Sequence, residues 1–158
     1  MKKIIMCLLL LATMSTTVQA EPCYKKLNRI QVKLGYPTTI QFNKYLCVYF
    51  RDQIWIERAM IIVALESGYR NITSDSGDDH TYFQFHKDTI KNYGLDAEYL
   101  QHNLFYQFHS FERIMKDKLE QCAKMSVPEA CWHSKTKHHY LRYKKNYLRV
   151  RSVVRQFL

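Results

Sequence analysis

The sequence predicts a mainly α-helical domain with a small β or loop lobe, and three features lead to this fold class. The stretch from Ile54 to Leu65 is apolar nearly all round, which is typical of a buried central helix. Apolar residues between Leu100 and Cys122 recur at steps of three and four, which predicts a long amphipathic helix. Between these stretches, residues 69–79 are rich in Asn, Thr, Ser, Asp and Gly, which indicates a polar loop or a small hairpin.

Two shorter elements are predicted before the central helix. Residues 23–34 carry apolar side chains at helical spacing and precede a Gly and a Pro, so a short helix is expected there. Residues 38–50 fit either a strand or a helix. Asp52 is suited to cap the central helix at its start, and Gly68 is suited to end it.

Two helices are predicted after the polar segment. A short aromatic stretch, residues 81–85, leads out of that segment. Asp96 then caps the long helix, which runs to Cys122. A final helix is expected from about His139, with Tyr, Val and Phe on one stripe and basic residues opposite. The whole is a helical domain around the buried central helix, with the small lobe beside it.

The first 20 residues have the pattern of a secretory signal peptide. Two lysines precede an apolar run, and the segment ends with Val18-Gln19-Ala20, which is the small-residue pattern typical of a secretory cleavage site. Cleavage after Ala20 would leave residues 21–158 as one domain with no transmembrane segment. We therefore expect a periplasmic or secreted protein.

Four cysteines remain after the predicted cleavage: Cys23, Cys47, Cys122 and Cys131. An even number in an exported chain indicates up to two disulfides, for which three pairings exist. The pairings Cys23–Cys47 and Cys122–Cys131 are favoured because each ties neighbouring segments together. A zinc site is the weaker alternative, since the chain contains no Cys-x-x-Cys pair. No metal ion or other cofactor is expected.

The basic excess of the predicted mature chain lies at its C-terminal end. Residues 21–129 carry 14 basic and 14 acidic side chains, whereas residues 130–158 carry eight basic and none acidic. Such an end suits a polyanion, an anionic membrane surface or an acidic wall polymer, or it is a solvated helix face that keeps the protein soluble. Nucleic acid is not expected as a partner, because an exported protein seldom meets it.

Glu66 is the residue that most suggests chemistry. It follows an apolar run at the point where the central helix meets the polar segment. A carboxyl group in this position is partly desolvated and holds its proton more tightly, so it can act as a general acid near neutral pH. A glutamate exposed to water at the helix end is the alternative interpretation.

The order of motifs around Glu66 resembles that of a known family. Ala-Leu-Glu-Ser-Gly-Tyr at residues 64–69 is followed by a polar loop and by Tyr-Phe-Gln-Phe at residues 82–85, which places Gln84 18 residues after Glu66. This order resembles the transglycosylase SLT family of the lysozyme-like superfamily. Cys-Trp-His-Ser-x-Thr at residues 131–136 is also similar to a segment of secretion-associated or phage-associated members.

The resemblance implies a lysozyme-like α+β fold, in which the small lobe flanks an active-site cleft. The implied activity is that of a lytic transglycosylase, which cleaves the β-1,4 bond between N-acetylmuramic acid and N-acetylglucosamine in peptidoglycan. Glu66 would donate a proton to the leaving oxygen and then take one from the C6 hydroxyl of the muramic residue, giving a 1,6-anhydro sugar. Because the substrate supplies this nucleophile, one carboxylate suffices.

The resemblance also implies which residues bind the glycan strand. Gln84 and a loop hydroxyl, Ser74 or Ser76, would form hydrogen bonds with the sugar and its N-acetyl group. Apolar or stacking contacts with sugar rings are expected from four aromatic residues: Tyr82, Phe83, Tyr140 and Tyr147. By analogy with the family, a small exported enzyme of this kind would suit an envelope-spanning secretion or conjugation machine.

The chain departs from the family pattern at several positions near the expected cleft, where Tyr82 and Phe83 replace the family's Leu and Met. Thr81 stands where the family usually has Gly, and Asp75 stands at the position of the loop Ser. Two other functions stay open. One is a hydrolytic lysozyme that positions water with Asp75, Asp78 or Asp79, and the other is a non-enzymatic module that binds the cell wall.

Overall fold

A computed structural model of the protein describes residues 21–75, 77–133 and 137–158. Two parts of the prediction lie outside these residues, namely the signal peptide at residues 1–20 and the loop residue Ser76. The described residues form seven α helices, one 3₁₀ helix and one sheet of three short strands. The predicted fold class, mainly α with a small β lobe, is thereby confirmed. None of the helices in these ranges is long and apolar enough to span a bilayer.

The first two helices form a disulfide-linked pair. Helix α1 spans Cys23–Lys33 and helix α2 spans Ile40–Tyr49, so the ambiguous segment 38–50 is a helix. The favoured disulfide between Cys23 and Cys47 joins them. Between the helices, the buried side chain of Gln31 accepts a hydrogen bond from the backbone N–H of Thr39 at 2.9 Å, which fixes the turn.

Helix α3, Gln53–Glu66, is the predicted central helix. Asp52 caps its start, because its carboxylate accepts a hydrogen bond from the backbone N–H of Ile54 at 2.8 Å. Its middle and C-terminal turns are buried, as the run of apolar residues predicts. Helix α7, Lys137–Val154, packs along it, and buried Tyr147 and Val150 lie on the inner stripe of α7.

The small lobe is an antiparallel sheet in the order β1-β2-β3, formed by Ile72–Thr73, Asp79–Thr81 and Phe85–His86. Thr73 of β1 lies opposite His80 of β2, and His80 lies opposite Phe85 of β3. The polar segment after α3 is therefore a hairpin, which was one of its two predicted forms.

Three helices follow the sheet: α4 Lys87–Asn92, α5 Ala97–His102 and α6 Leu104–Gln121. The prediction of one long helix from Asp96 to Cys122 was wrong, because the helix is interrupted at Asn103. There the backbone is extended, and the side-chain oxygen of Asn103 accepts a hydrogen bond from the backbone N–H of Tyr106 at 2.9 Å. Asn103 thus starts a second helix, and Asp96 caps only α5.

A short 3₁₀ helix, Pro128–Trp132, connects α6 to the segment before α7. The favoured disulfide between Cys122 and Cys131 ties it to the end of α6. Arg58 on α3 donates two hydrogen bonds, at 3.1 and 3.2 Å, to one carboxylate oxygen of Glu129. The 3₁₀ helix is therefore fixed to both α6 and α3.

Candidate active site

The last turns of α3 are held by two tyrosine hydroxyl groups. The hydroxyl of Tyr36 donates to the carbonyl oxygen of Ala64 at 2.9 Å, and that of Tyr69 donates to the carbonyl oxygen of Met60 at 2.8 Å. The carbonyl group of Ala64 is among the last four of the helix, which lack a partner within it, whereas that of Met60 lies further inside and receives the hydroxyl of Tyr69 as an additional donor. These bonds fix the helix end from which Glu66 projects.

The Gly and Ser that follow Glu66 join α3 to the sheet. Gly68 has a φ of 58°, and a Cβ atom there would lie 3.1 Å from the ring of Tyr36, so the turn requires glycine. The hydroxyl of Ser67 donates to the carbonyl oxygen of Tyr82 at 2.7 Å. The Glu-Ser-Gly motif therefore sets the position of Glu66 relative to the sheet.

The carboxyl group of Glu66 lies among side chains from the C-terminal part of the chain. Its side chain is only 13 % exposed. The hydroxyl of Tyr143 on α7 donates to its Oε1 at 2.6 Å, and Nδ1 of His133 lies 3.9 Å from the same oxygen. The ring of His133 stacks on that of Tyr143, with centroids 5.0 Å apart and planes 2° from parallel. One face of the carboxyl group is thus covered by two packed rings.

This environment changes the acidity of Glu66. Burial raises its pKa to about 7, the negative charge of Asp79 acts in the same direction, and the hydrogen bond from Tyr143 opposes them. Burial and the neighbouring His139 lower the pKa of His133, and the negative charge of Asp79 opposes them. At neutral pH, Glu66 therefore exists in both protonated and ionised forms.

Two grooves meet at Glu66. The sheet-side groove has a volume of about 450 Å³ and includes Asp79, Gln84 and Trp132 among its lining residues. The helix-side groove has a volume of about 320 Å³ and is lined by five further residues: Leu65, His139, Arg142, Tyr143 and Asn146. Glu66 and His133 line both grooves. An elongated ligand that crosses Glu66 can therefore extend into both grooves.

Gln84 is brought to the same groove as Glu66, as the resemblance implies. Its side-chain nitrogen donates to the carbonyl oxygens of Thr81 at 2.6 Å and Ile72 at 3.0 Å. These bonds hold the amide group against the sheet. Its binding of substrate stays a prediction, and its observed contacts stabilise the hairpin.

The backbone at Thr81, one of the departures from the resembled pattern, has an unusual conformation. Thr81 is fully buried and has a φ of 75°, in the left-handed region that glycine favours. A β-branched residue is strained there. A glycine would adopt this backbone conformation without that strain.

Of the two loop serines expected to bind the sugar, Ser74 lies within the described residues, and its observed hydrogen bond stabilises the hairpin. The hydroxyl of Ser74 accepts a hydrogen bond from the backbone N–H of Asp79 at 3.0 Å, which braces the hairpin. Tyr82 packs on Phe42, with ring centroids 4.5 Å apart, and lines a separate groove beside Tyr45 and Phe105. Neither side chain lines the two grooves that meet at Glu66.

The other predicted aromatic contacts need correction. Phe83 and Tyr147 are fully buried in the core, and Tyr140 is buried with its hydroxyl bonded to the backbone of Val127. Phe83 and Tyr147 expose no surface to a sugar ring, and Tyr140 exposes only 7 %. Tyr143 lies between the two tyrosines on the same helical stripe, and it is the one that reaches Glu66. Periodicity defines the stripe but does not show which member faces the carboxyl group.

Two site residues were missed by the sequence analysis although the sequence contained a signal for each. Tyr143 belongs to the tyrosine stripe of the final helix. His133 lies in the Cys-Trp-His segment that carried part of the resemblance, without a role assigned to it. The disulfide of Cys131 and the packing of Trp132 against Phe85 place this segment beside Glu66.

The three acidic residues of the hairpin have different surroundings. Asp75 is exposed, and Asp78 forms an ion pair with Lys87 at 2.7 Å. Only Asp79 of these three lines the sheet-side groove. Within residues 21–75, 77–133 and 137–158, no three His, Cys, Asp or Glu side chains lie close enough together to hold a metal ion.

The chain matches no protein-family model, no curated protein and no solved structure.

Proposed function

We propose that the protein is a lytic transglycosylase with a lysozyme-like fold, which cleaves the β-1,4 bond between N-acetylmuramic acid and N-acetylglucosamine in peptidoglycan. Glu66 is its single acid and base. The observation that carries the proposal is a mostly buried glutamate with a pKa of about 7 at the meeting point of two grooves. The helical domain with a small sheet beside the groove is compatible with this fold.

The reaction needs one proton donor that then becomes the acceptor. Protonated Glu66 donates to the glycosidic oxygen as the bond from that oxygen to the anomeric carbon breaks, and N-acetylglucosamine leaves with a hydroxyl group. The ionised carboxylate then takes the proton of the C6 hydroxyl, whose oxygen bonds to the anomeric carbon. The 1,6-anhydro ring closes, Glu66 is protonated again, and no water is consumed.

The surroundings of Glu66 suit both steps. A pKa of about 7 allows the group to give and take a proton at neutral pH. The hydrogen bond from Tyr143 fixes one carboxyl oxygen and leaves the other for the substrate. The adjacent stacked rings of Tyr143 and His133 limit the approach of water from that side, which favours attack by the hydroxyl of the bound sugar.

Mass spectrometry of digested cell-wall sacculi tests this function. The wild-type protein is expected to release fragments with 1,6-anhydromuramoyl ends. Glu66→Gln keeps the size of the side chain but removes the proton transfer, so the rate should fall by about a thousandfold. Glu98→Gln, on the exposed face of α5, is the matched control and should keep full activity. Sacculi left intact by the wild type, or cleaved equally by Glu66→Gln, would contradict the proposal.

Asp79 favours a hydrolytic lysozyme as the second candidate. It is an acidic residue of the hairpin that lines the same groove as Glu66, and its charge raises the pKa of Glu66. A second carboxylate can position water for attack on the anomeric carbon. In that case the products would have reducing ends and Asp79→Asn would lose most activity, whereas the transglycosylase reaction leaves Asp79→Asn active.

We also propose that the protein acts outside the cytoplasm, in the periplasm or after secretion. The two disulfides support this location, since such bonds persist in oxidising compartments. A role in opening the wall for an envelope-spanning machine rests on family analogy. The third alternative, a wall-binding module, depends on the basic end, where Arg151 and Arg155 both bond to Glu57. These two cations are therefore partly neutralised within the protein.

A further inference from the structure

The helix-side groove has a charge pattern that the transglycosylase reaction does not explain. Apart from Glu66, its charged lining residue is Arg142. Asn146 lies one helical turn further along α7, and His139 lies one turn before, so both can add hydrogen-bond donors on the same side. No residue of α7 is acidic.

Arg142 differs from the arginines that support the fold. Arg58 bonds to Glu129, and Arg151 and Arg155 bond to Glu57. Arg142 is exposed and, within the part of the chain that the structure describes, forms no ion pair or hydrogen bond. A guanidinium group lining a groove without an acidic partner is suited to a ligand that carries one.

We propose that the helix-side groove binds a carboxylate carried by the muramic residue of the substrate, with Arg142 as its principal ligand. This inference rests on the proposed function, because Glu66 joins this groove to the site of cleavage. The planar fork of Arg142 can form two parallel hydrogen bonds with a carboxylate. Peptidoglycan offers such groups on the peptide stem, and strands without stems offer the lactyl carboxylate of the muramic residue itself.

The two grooves that meet at Glu66 differ in the charges that line them. The sheet-side groove is lined by both Asp79 and Lys118, whose charges are opposite, whereas the helix-side groove is lined by Arg142 and, among the described residues, by no acidic one other than Glu66. The helix-side groove is therefore the one suited to a carboxylate of the strand. Uncharged glycans would lack this contact and bind more weakly.

Steady-state cleavage of three substrates tests the site. The substrates are intact peptidoglycan, the same material with its carboxylates converted to neutral amides, and strands whose peptides an amidase has removed. Arg142→Gln should lower kcat/KM about tenfold on intact peptidoglycan and leave it unchanged on the amide form. Arg149→Gln, exposed on the same helix but outside the groove, is the matched control and should behave as wild type on all three.

The stripped strands identify the source of the carboxylate. In intact peptidoglycan the lactyl carboxyl group is part of the amide bond to the stem, so a loss for Arg142→Gln on this substrate reports a carboxylate of the peptide stem. A loss that persists on the stripped strands shows that the site also accepts the freed lactyl carboxylate, whereas a loss confined to intact peptidoglycan assigns the site to the stem alone. Either result supports the site. An equal loss on intact and amidated substrates, or no loss on either, would overturn it.

A binding measurement separates this inference from the proposed function. Glu66→Gln and the double variant Glu66→Gln/Arg142→Gln are titrated by calorimetry with a soluble muropeptide and with its amidated form. If the wild type cleaves no glycan, the proposed function fails, and the titration alone decides about the site. A tenfold weaker binding of only the acidic muropeptide to the double variant supports the site, and identical affinities of the two proteins overturn it.

Discussion

Replacing Glu66 by Gln should make the folded protein more stable, because burial of this carboxyl group opposes its ionisation. The pKa of Glu66 is raised from 4.5 to about 7 by that burial. Ionising the group at high pH therefore costs the folded state more free energy than the unfolded state. Gln cannot ionise, and it keeps an oxygen that can accept the hydrogen bond of Tyr143.

The size and pH range of the effect follow from the two pKa values. Each pKa unit corresponds to about 1.4 kcal/mol, so the ionised group lowers the free energy of unfolding by about 3 kcal/mol. The raised folded-state pKa means that the folded protein binds more protons than the unfolded chain between pH 4.5 and about pH 7. Wild-type stability is lost as the pH rises through this window, and the loss is complete above it.

Urea unfolding with both disulfides intact measures this difference. The free energy of unfolding of Glu66→Gln should equal that of wild type below pH 4.5. Above that pH the variant should become the more stable of the two, by a difference that levels off at about 3 kcal/mol by about pH 8. The exposed Glu98→Gln serves as control and should show no such dependence. An advantage of Glu66→Gln that is independent of pH, or no advantage at any pH, would refute the reasoning about burial.

Three further variants test how the site is built. Tyr143→Phe removes the hydrogen bond that lowers the pKa of Glu66, so the alkaline limb of the pH profile of kcat/KM should move to higher pH; an unmoved limb would contradict this. Gly68→Ala should cost about 1–2 kcal/mol of stability by urea unfolding, and more than Gly94→Ala, which has a similar φ but an open surrounding; equal costs would argue against the contact with Tyr36. Cys122→Ala/Cys131→Ala should lose about 3 kcal/mol and most activity, since the bond holds the segment of His133; full activity at a temperature where the variant is folded would disprove this role.

The sequence was a good guide to the helices where periodicity and caps agree. The central helix begins at its predicted cap, Asp52, and ends before Gly68. Both residues act locally, through one hydrogen bond and one backbone conformation, so their effect can be inferred without the rest of the fold.

The break at Asn103 shows where periodicity is insufficient. Apolar residues continue at helical spacing across it, because α5 and α6 both face the same core. The side chain of Asn103 can accept the backbone hydrogen bond that a continuous helix would otherwise form. Whether the helix continues or ends there depends on how the surrounding helices pack. Sequence alone gives the polar residue but not which of the two outcomes occurs.

The site itself combines a local signal with contacts that are remote in sequence. Glu66 could be selected from its place after an apolar run. Its hydrogen bond with Tyr143 spans 77 positions, and the choice of this tyrosine among three on one stripe depends on how α7 rotates against α3. The prediction that Phe83 and Tyr147 contact a sugar was wrong for the same reason, because the packing of the helices and the sheet buries both side chains.

Digestion of sacculi in water labelled with heavy oxygen tests most directly whether Glu66 works alone with the hydroxyl of the substrate. The wild-type protein should produce 1,6-anhydromuramoyl ends that contain no label, and Glu66→Gln should produce none of these ends. Labelled reducing ends, or strands that stay intact with the wild-type protein, would contradict the proposed reaction.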